Sequence, residues 1–69
     1  MSLSQEEING FIGEHVDEVL LTLNSRLFTK MVTPFPVVPG SDIDLDEDPV
    51  RVYILYNPDS FEVTDIVEP

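Results

Sequence analysis

The chain has 69 residues, enough for one domain, and a domain this small buries only about 60% of the surface its unfolded form exposes. That leaves one thin core and little room for the lined concave pocket an enzyme needs, so a non-enzymatic role without a cofactor is expected. Fourteen acids against three bases give a net charge of −11, which repels nucleic-acid phosphates and anionic bilayers. A charged partner is therefore expected to be a protein with a neutral or basic surface, with no nucleic acid and no membrane. Cysteine is absent, which removes disulfides, thiolate catalysis and cysteine-ligated zinc. The first residues show neither the positive flank nor the apolar run of a signal peptide, which slightly favours the cytoplasm. They are given no weight in the fold.

Residues 4–28 carry helical periodicity. Ile8, Phe11, Ile12, Val16, Val19, Leu20, Leu23 and Leu27 recur at spacings of three and four and form one stripe. Ser4 and Glu7 have the spacing of a capping box. Gly10 and Gly13 interrupt the pattern, so the expectation is a short helical turn over about 5–10, a break, and a main helix from about Glu14 to residue 24 or 25. Glu14, Asp17 and Glu18 complement the positive end of that helix, and Arg26 its negative end. His15, the only histidine, is read as a helix-start residue.

Thr29 to Val38 reads as a strand, and Pro34 and Pro36 make it an edge strand or leave its central part unpaired, because proline cannot donate to a ladder. Pro39-Gly40 ends it. In Ser41 to Asp48, five acids in eight residues repel one another too strongly to be buried together, so this segment is expected in water. Val50 to Tyr56 is nearly unbroken Val, Tyr, Ile and Leu, as in a central strand covered on both faces. Asn57-Pro58-Asp59-Ser60 supplies a turn, and Phe61 to Val67 returns as the last strand. The aromatic residues follow these periods and are expected in the core. The fold class that results is α+β: one main helix packed on a small mixed three-stranded sheet, with a long exposed loop over about 40–49.

The order of these pieces resembles the potato inhibitor I family of serine-protease inhibitors. Phe11-Ile12-Gly13-Glu14-His15-Val16-Asp17-Glu18-Val19 is similar to the stretch that opens the family's helix. Val37-Val38-Pro39-Gly40 falls where its strand gives way to the loop. Asp48-Pro49-Val50-Arg51-Val52-Tyr53 resembles the strand after the loop, and Phe61 to Pro69 falls at the final strand. The family's early tryptophan is absent, His15 stands in place of its serine N-cap, the loop is shorter, and Pro49 replaces its first supporting arginine.

The resemblance implies an inhibitor of subtilisin- or chymotrypsin-type proteases that presents residues Ser41, Asp42, Ile43, Asp44, Leu45, Asp46 and Glu47 as a substrate-like loop. Leu45 falls before the scissile bond and suits an apolar primary pocket, and Asp46 falls after it. Arg51 is expected to hold the loop taut through Asp44 or Asp46, with Gly40 and Pro49 bracketing the segment. Against this, the family favours threonine where Asp44 stands, and a carboxylate there loses hydration on binding. The alternative is a non-inhibitory acidic interaction module on the same fold.

Other patterns carry less. Asp42, Asp44, Asp46 and Asp48 alternate as a calcium loop's ligands do, but Glu47 and Tyr53 stand where such a loop needs glycine and glutamate, so no metal site is expected. Ile43-Asp44-Leu45 before Asp46-Glu47-Asp48 has the apolar-acidic look of a SUMO-interacting motif, and Ser41 with Asp44 that of an acid-directed kinase site. Both are short patterns that arise often by chance.

Overall fold

A computed structural model describes residues 3–27, 32–43 and 51–68. Its elements run α1 (Gln5–Phe11), α2 (Val16–Leu27), β1 (Thr33–Val37), β2 (Arg51–Tyr56) and β3 (Val63–Val67). The three strands form one sheet in the order β1-β2-β3, with β1 parallel and β3 antiparallel to the central β2. The expected α+β class and mixed sheet are therefore present.

The capping box at the first helix forms as its spacing predicts. The Ser4 hydroxyl accepts from Glu7 N–H at 3.1 Å, and Glu7 Oε1 accepts from Ser4 N–H at 3.3 Å. Gly10 does not break α1, which continues to Phe11. The break comes at 12–14, where Gly13 takes φ +88°, a left-handed conformation open to glycine at no steric cost. Glu14 N–H closes that turn on Phe11 C=O. The main helix consequently starts at Val16 rather than Glu14, and it runs to Leu27, beyond the expected end. Ile12, placed on the apolar stripe by its spacing, lies in the turn and is exposed.

The core is the contact between α2 and the sheet. Val16, Val19, Leu23 and Leu27 line one side of the helix, and Val52, Ile54, Val63 and Ile66 meet them from the strands. Leu23, Val52 and Ile54 are fully enclosed. Each such side chain contributes roughly 1.5–3 kcal/mol over its exposed state. Leu3 joins this cluster, and its N–H donates to both Glu68 carboxylate oxygens at 2.9 Å. Leu3 thus belongs to the fold and is tied to Glu68. Val52, Tyr53 and Ile54 are all buried, as a central strand requires.

The strand edges are closed in different ways. A ladder that includes Pro34 and Pro36 forms only if their ring nitrogens face away from β2, because proline has no N–H to give. The outer edge of β1 therefore lacks donors at both positions and resists strand addition. On β3, Val63 spends its backbone groups on Glu14 C=O and Gly13 N–H, each at 2.8 Å, and Ile66 N–H donates to the Asp65 carboxylate at 2.8 Å. The strands are shorter than their apolar runs. β1 begins at Thr33 and ends at Val37, β3 begins at Val63, and residues 28–31 and Val50 lie outside the described residues.

The hairpin explains the late start of β3. Asn57 C=O accepts from Phe61 N–H at 2.7 Å, its side chain accepts from Asp59 N–H at 2.8 Å, and its N–H donates to Glu62 C=O at 2.9 Å. Closing both ends of this turn drives Phe61 to φ 60°. A left-handed φ costs an L residue roughly 1–2 kcal/mol. Replacing Phe61 by glycine or by alanine removes the same ring, and only glycine relieves the backbone. In urea unfolding, Phe61→Gly should be about 1 kcal/mol more stable than Phe61→Ala.

The two helices are tied by an ion pair between Arg26 Nη1 and Glu7 Oε2. The Arg26 guanidinium, and after it the Ser4 N–H, hold the Glu7 carboxyl below the usual glutamate range. The unfolded chain thus takes up this proton more readily than the folded one. The resulting stabilisation is complete above the unfolded pKa, about 4.3, and is lost as pH falls through the lowered folded value. Stability measured against pH should accordingly fall less steeply below about pH 5 in Glu7→Gln than in the parent.

Candidate functional site

The strand β1 hands the chain to the acidic segment through a tight turn. Ser41 N–H donates to Val38 C=O at 3.2 Å, with Pro39 second in the turn and Gly40 third at φ +89°. Proline followed by a residue of positive φ is the type II pattern, and glycine meets its demand without strain. Ser41 and Asp42 emerge into solvent, while Ile43 is half-buried. Asp44, Leu45, Asp46, Glu47 and Pro49 lie outside the described residues, as does the expected tether between Arg51 and Asp44 or Asp46.

Arg51 opens β2. Strand alternation puts Val52 and Ile54 towards α2, so Arg51 and Tyr53 point to the opposite face of the sheet, with Phe35 beside them by register. The Arg51 guanidinium carbon sits 4.8 Å from the centre of the Phe35 ring, and Phe35 meets Tyr53 edge to face at 6.0 Å. The base that sequence reasoning linked to the loop is thus held over an aromatic side chain at the strand's amino end. A cation–π contact of this kind is worth about 0.5–1 kcal/mol where water reaches it. Phe35 was expected in the core, but it is 41% exposed on this second face.

A second group of residues escaped the sequence reading. His15, Tyr56 and Phe61 stack at the amino end of α2, with ring centres 5.8 Å apart for His15–Phe61 and 6.3 Å for Tyr56–Phe61. Phe61 is 48% exposed and is not the core residue its strand period implied. The rings border a cleft of about 240 Å³ that Val16, Asp17 and Pro36 complete. The only sequence signal was a bulky aromatic directly after the Asn57–Ser60 turn, where a flexible residue is usual.

His15 is indeed a helix-start residue, and the structure supplies the atom. Its Nδ1 accepts from Asp17 N–H at 3.1 Å, as a serine or aspartate N-cap oxygen would. Accepting there places the ring proton on Nε2, so Nδ1 does not also donate to the Asp17 carboxylate 3.9 Å away. Its backbone pairs with Glu62 in an isolated antiparallel bridge, which joins helix start to hairpin. His15→Ala should cost about 1 kcal/mol in chemical denaturation, and His15→Ser should recover most of that loss.

Among the described residues no three His, Asp or Glu side chains gather as metal ligands, and no helix is long and apolar enough to cross a membrane. No protein-family model matches the chain, and no curated protein or solved structure matches it.

Proposed function

We propose that this protein is a serine-protease inhibitor that offers residues 41–47 to a subtilisin- or chymotrypsin-type enzyme, with Leu45 in the primary pocket. The observation that supports the reading is the parallel pairing of β1 with β2, joined by an acidic crossover that leaves β1 through the Pro39–Gly40 turn. A loop anchored at both ends of a packed sheet binds with little ordering cost, so its complex is tight. If the enzyme cuts after Leu45, the acyl-enzyme forms while the new amine of Asp46 stays tethered beside it. Re-ligation then outruns hydrolysis, because the amine is held at high effective concentration.

In this scheme Arg51, at the amino end of β2, would hold one of the carboxylates that precede it in sequence. Its placement over Phe35 limits the rotamers it samples, so less entropy is lost when it grips a carboxylate. A subtilisin pocket is apolar and suits leucine, whereas a trypsin-like pocket wants a base.

The second reading, an acidic interaction module that inhibits nothing, draws on Asp42 and Asp44. Two carboxylates just before the cleavage point lose hydration against an enzyme surface unless a base compensates. The partner would then present lysine or arginine.

Titration of subtilisin with the protein separates the two. Inhibition predicts stoichiometric loss of activity with slow cleavage after Leu45 only, and rapid digestion or no loss of activity refutes it. Leu45→Lys should weaken subtilisin inhibition by about 100-fold or more, since an unpaired ammonium in an apolar pocket costs several kcal/mol, and should create inhibition of a trypsin-like enzyme.

A further inference from the structure

The cleft beside Phe61 has no part in the inhibitory scheme, and none of its lining residues belongs to the acidic segment. At about 240 Å³ it is smaller than the pockets that enclose small-molecule ligands and matches a single inserted side chain. Its walls are unusual for a chain of this size. His15, Phe61 and Tyr56 lie nearly parallel, at interplanar angles of 25° and 17°, and Phe61 is half-exposed. The middle ring is carried by a residue at φ 60°, a backbone position where a bulky side chain is a genuine outlier. Half-exposed as it is, that ring contributes little to the core for the strain it entails.

The electrostatics select the occupant. A helix N-terminus ordinarily offers free N–H groups to an anion, but here each is taken. Val16 N–H donates to Phe61 C=O at 2.8 Å, Asp17 N–H to His15 Nδ1 at 3.1 Å, and Glu18 and Val19 N–H to His15 C=O at 3.0 and 3.1 Å. No donor remains for a phosphate or carboxylate. Asp17 stands at the rim with its side chain 80% exposed; Glu18 follows it in sequence, and Glu62 follows Phe61. The cleft therefore combines aromatic rings with the Asp17 carboxylate, and no lysine or arginine lines it.

We propose that this cleft receives the guanidinium of an arginine on a basic protein partner, stacked on Phe61 and paired with Asp17. Arginine fits better than lysine because its planar, weakly hydrated cation stacks on aromatic faces and forks onto a carboxylate at once, while an ammonium keeps its hydration shell. The site stands independently of the protease-inhibitor reading.

The test is a titration of the full-length, ¹⁵N-labelled protein with acetyl-Gly-Arg-Gly-amide, read by amide and side-chain chemical shifts. Lysine and citrulline versions of the peptide serve as comparisons. Saturable millimolar binding is expected, with shifts concentrated at residues 15–17, 56 and 61, weaker binding of the lysine peptide and none of the citrulline one. Phe61→Gly keeps the turn, since glycine accepts the positive φ, and should weaken binding about 2–5-fold. Asp17→Asn should weaken it by a similar factor of about 2–5. Equal binding of arginine and lysine peptides with shifts spread over all acidic residues would mean general charge screening and would overturn the proposal. So would unchanged binding in folded Phe61→Gly, or no shifts at all.

Discussion

The parallel pairing of β1 with β2 is the constraint from which the rest of this structure follows. Two parallel neighbours cannot be joined by a tight turn, because the chain leaves one strand at the end opposite to where the next begins. Most proteins solve this with a crossover helix. Among the described residues the one long helix, α2, precedes the sheet and covers one face, and residues 38–50, which join β1 to β2, are rich in acids and include Pro39 and Pro49. By sequence that stretch holds five acids between Asp42 and Asp48 together with the apolar Ile43 and Leu45, and Ile43 is half-buried. The same pairing that makes the sheet mixed thus requires a long connection between β1 and β2.

With one helix on one face, the core is limited to a single layer of aliphatic side chains between α2 and the strands. The termini add to it through Leu3 and Glu68, and the Glu7–Arg26 pair links α1 to the end of α2. Such local ties matter in a domain whose burial is near the lower limit for independent folding. The sheet's other face is occupied differently, by Arg51 over Phe35 and Phe35 against Tyr53. The Arg51 cation stands on this face at the amino end of β2.

The junction of hairpin and helix shows how one residue serves several ends. Phe61 C=O caps the first N–H of α2, Phe61 N–H closes the turn on Asn57, and its ring contacts those of His15 and Tyr56. Holding all three requires a left-handed backbone at a residue poorly suited to it. His15 reciprocates by capping Asp17 through its side chain and bridging Glu62 through its backbone. Strain at one position is therefore shared by a small network of caps. The aromatic surface that results is a consequence of tertiary closure rather than of any local preference.

Local chemistry was legible along the chain. The capping box at Ser4 and Glu7, the stripe through Val16, Val19, Leu23 and Leu27, the edge character of a strand with Pro34 and Pro36, and the buried run Val52–Ile54 all depend on neighbours within a few residues. Helical and strand periods and proline's missing N–H are properties of such short windows, so the α+β class could be read from them. The start of α2 at Val16, the burial of Leu3 and the exposure of Ile12, Phe35 and Phe61 could not, because they turn on partners far away in sequence. His15 caps α2 locally through Asp17, as its place at the helix start implied, whereas its bridge to Glu62 and its contact with Phe61 come from the hairpin. Which ring faces inward was a matter for the packed structure alone: periodicity assigns a side chain to a face, and only the elements stacked against that face determine whether water is excluded from it.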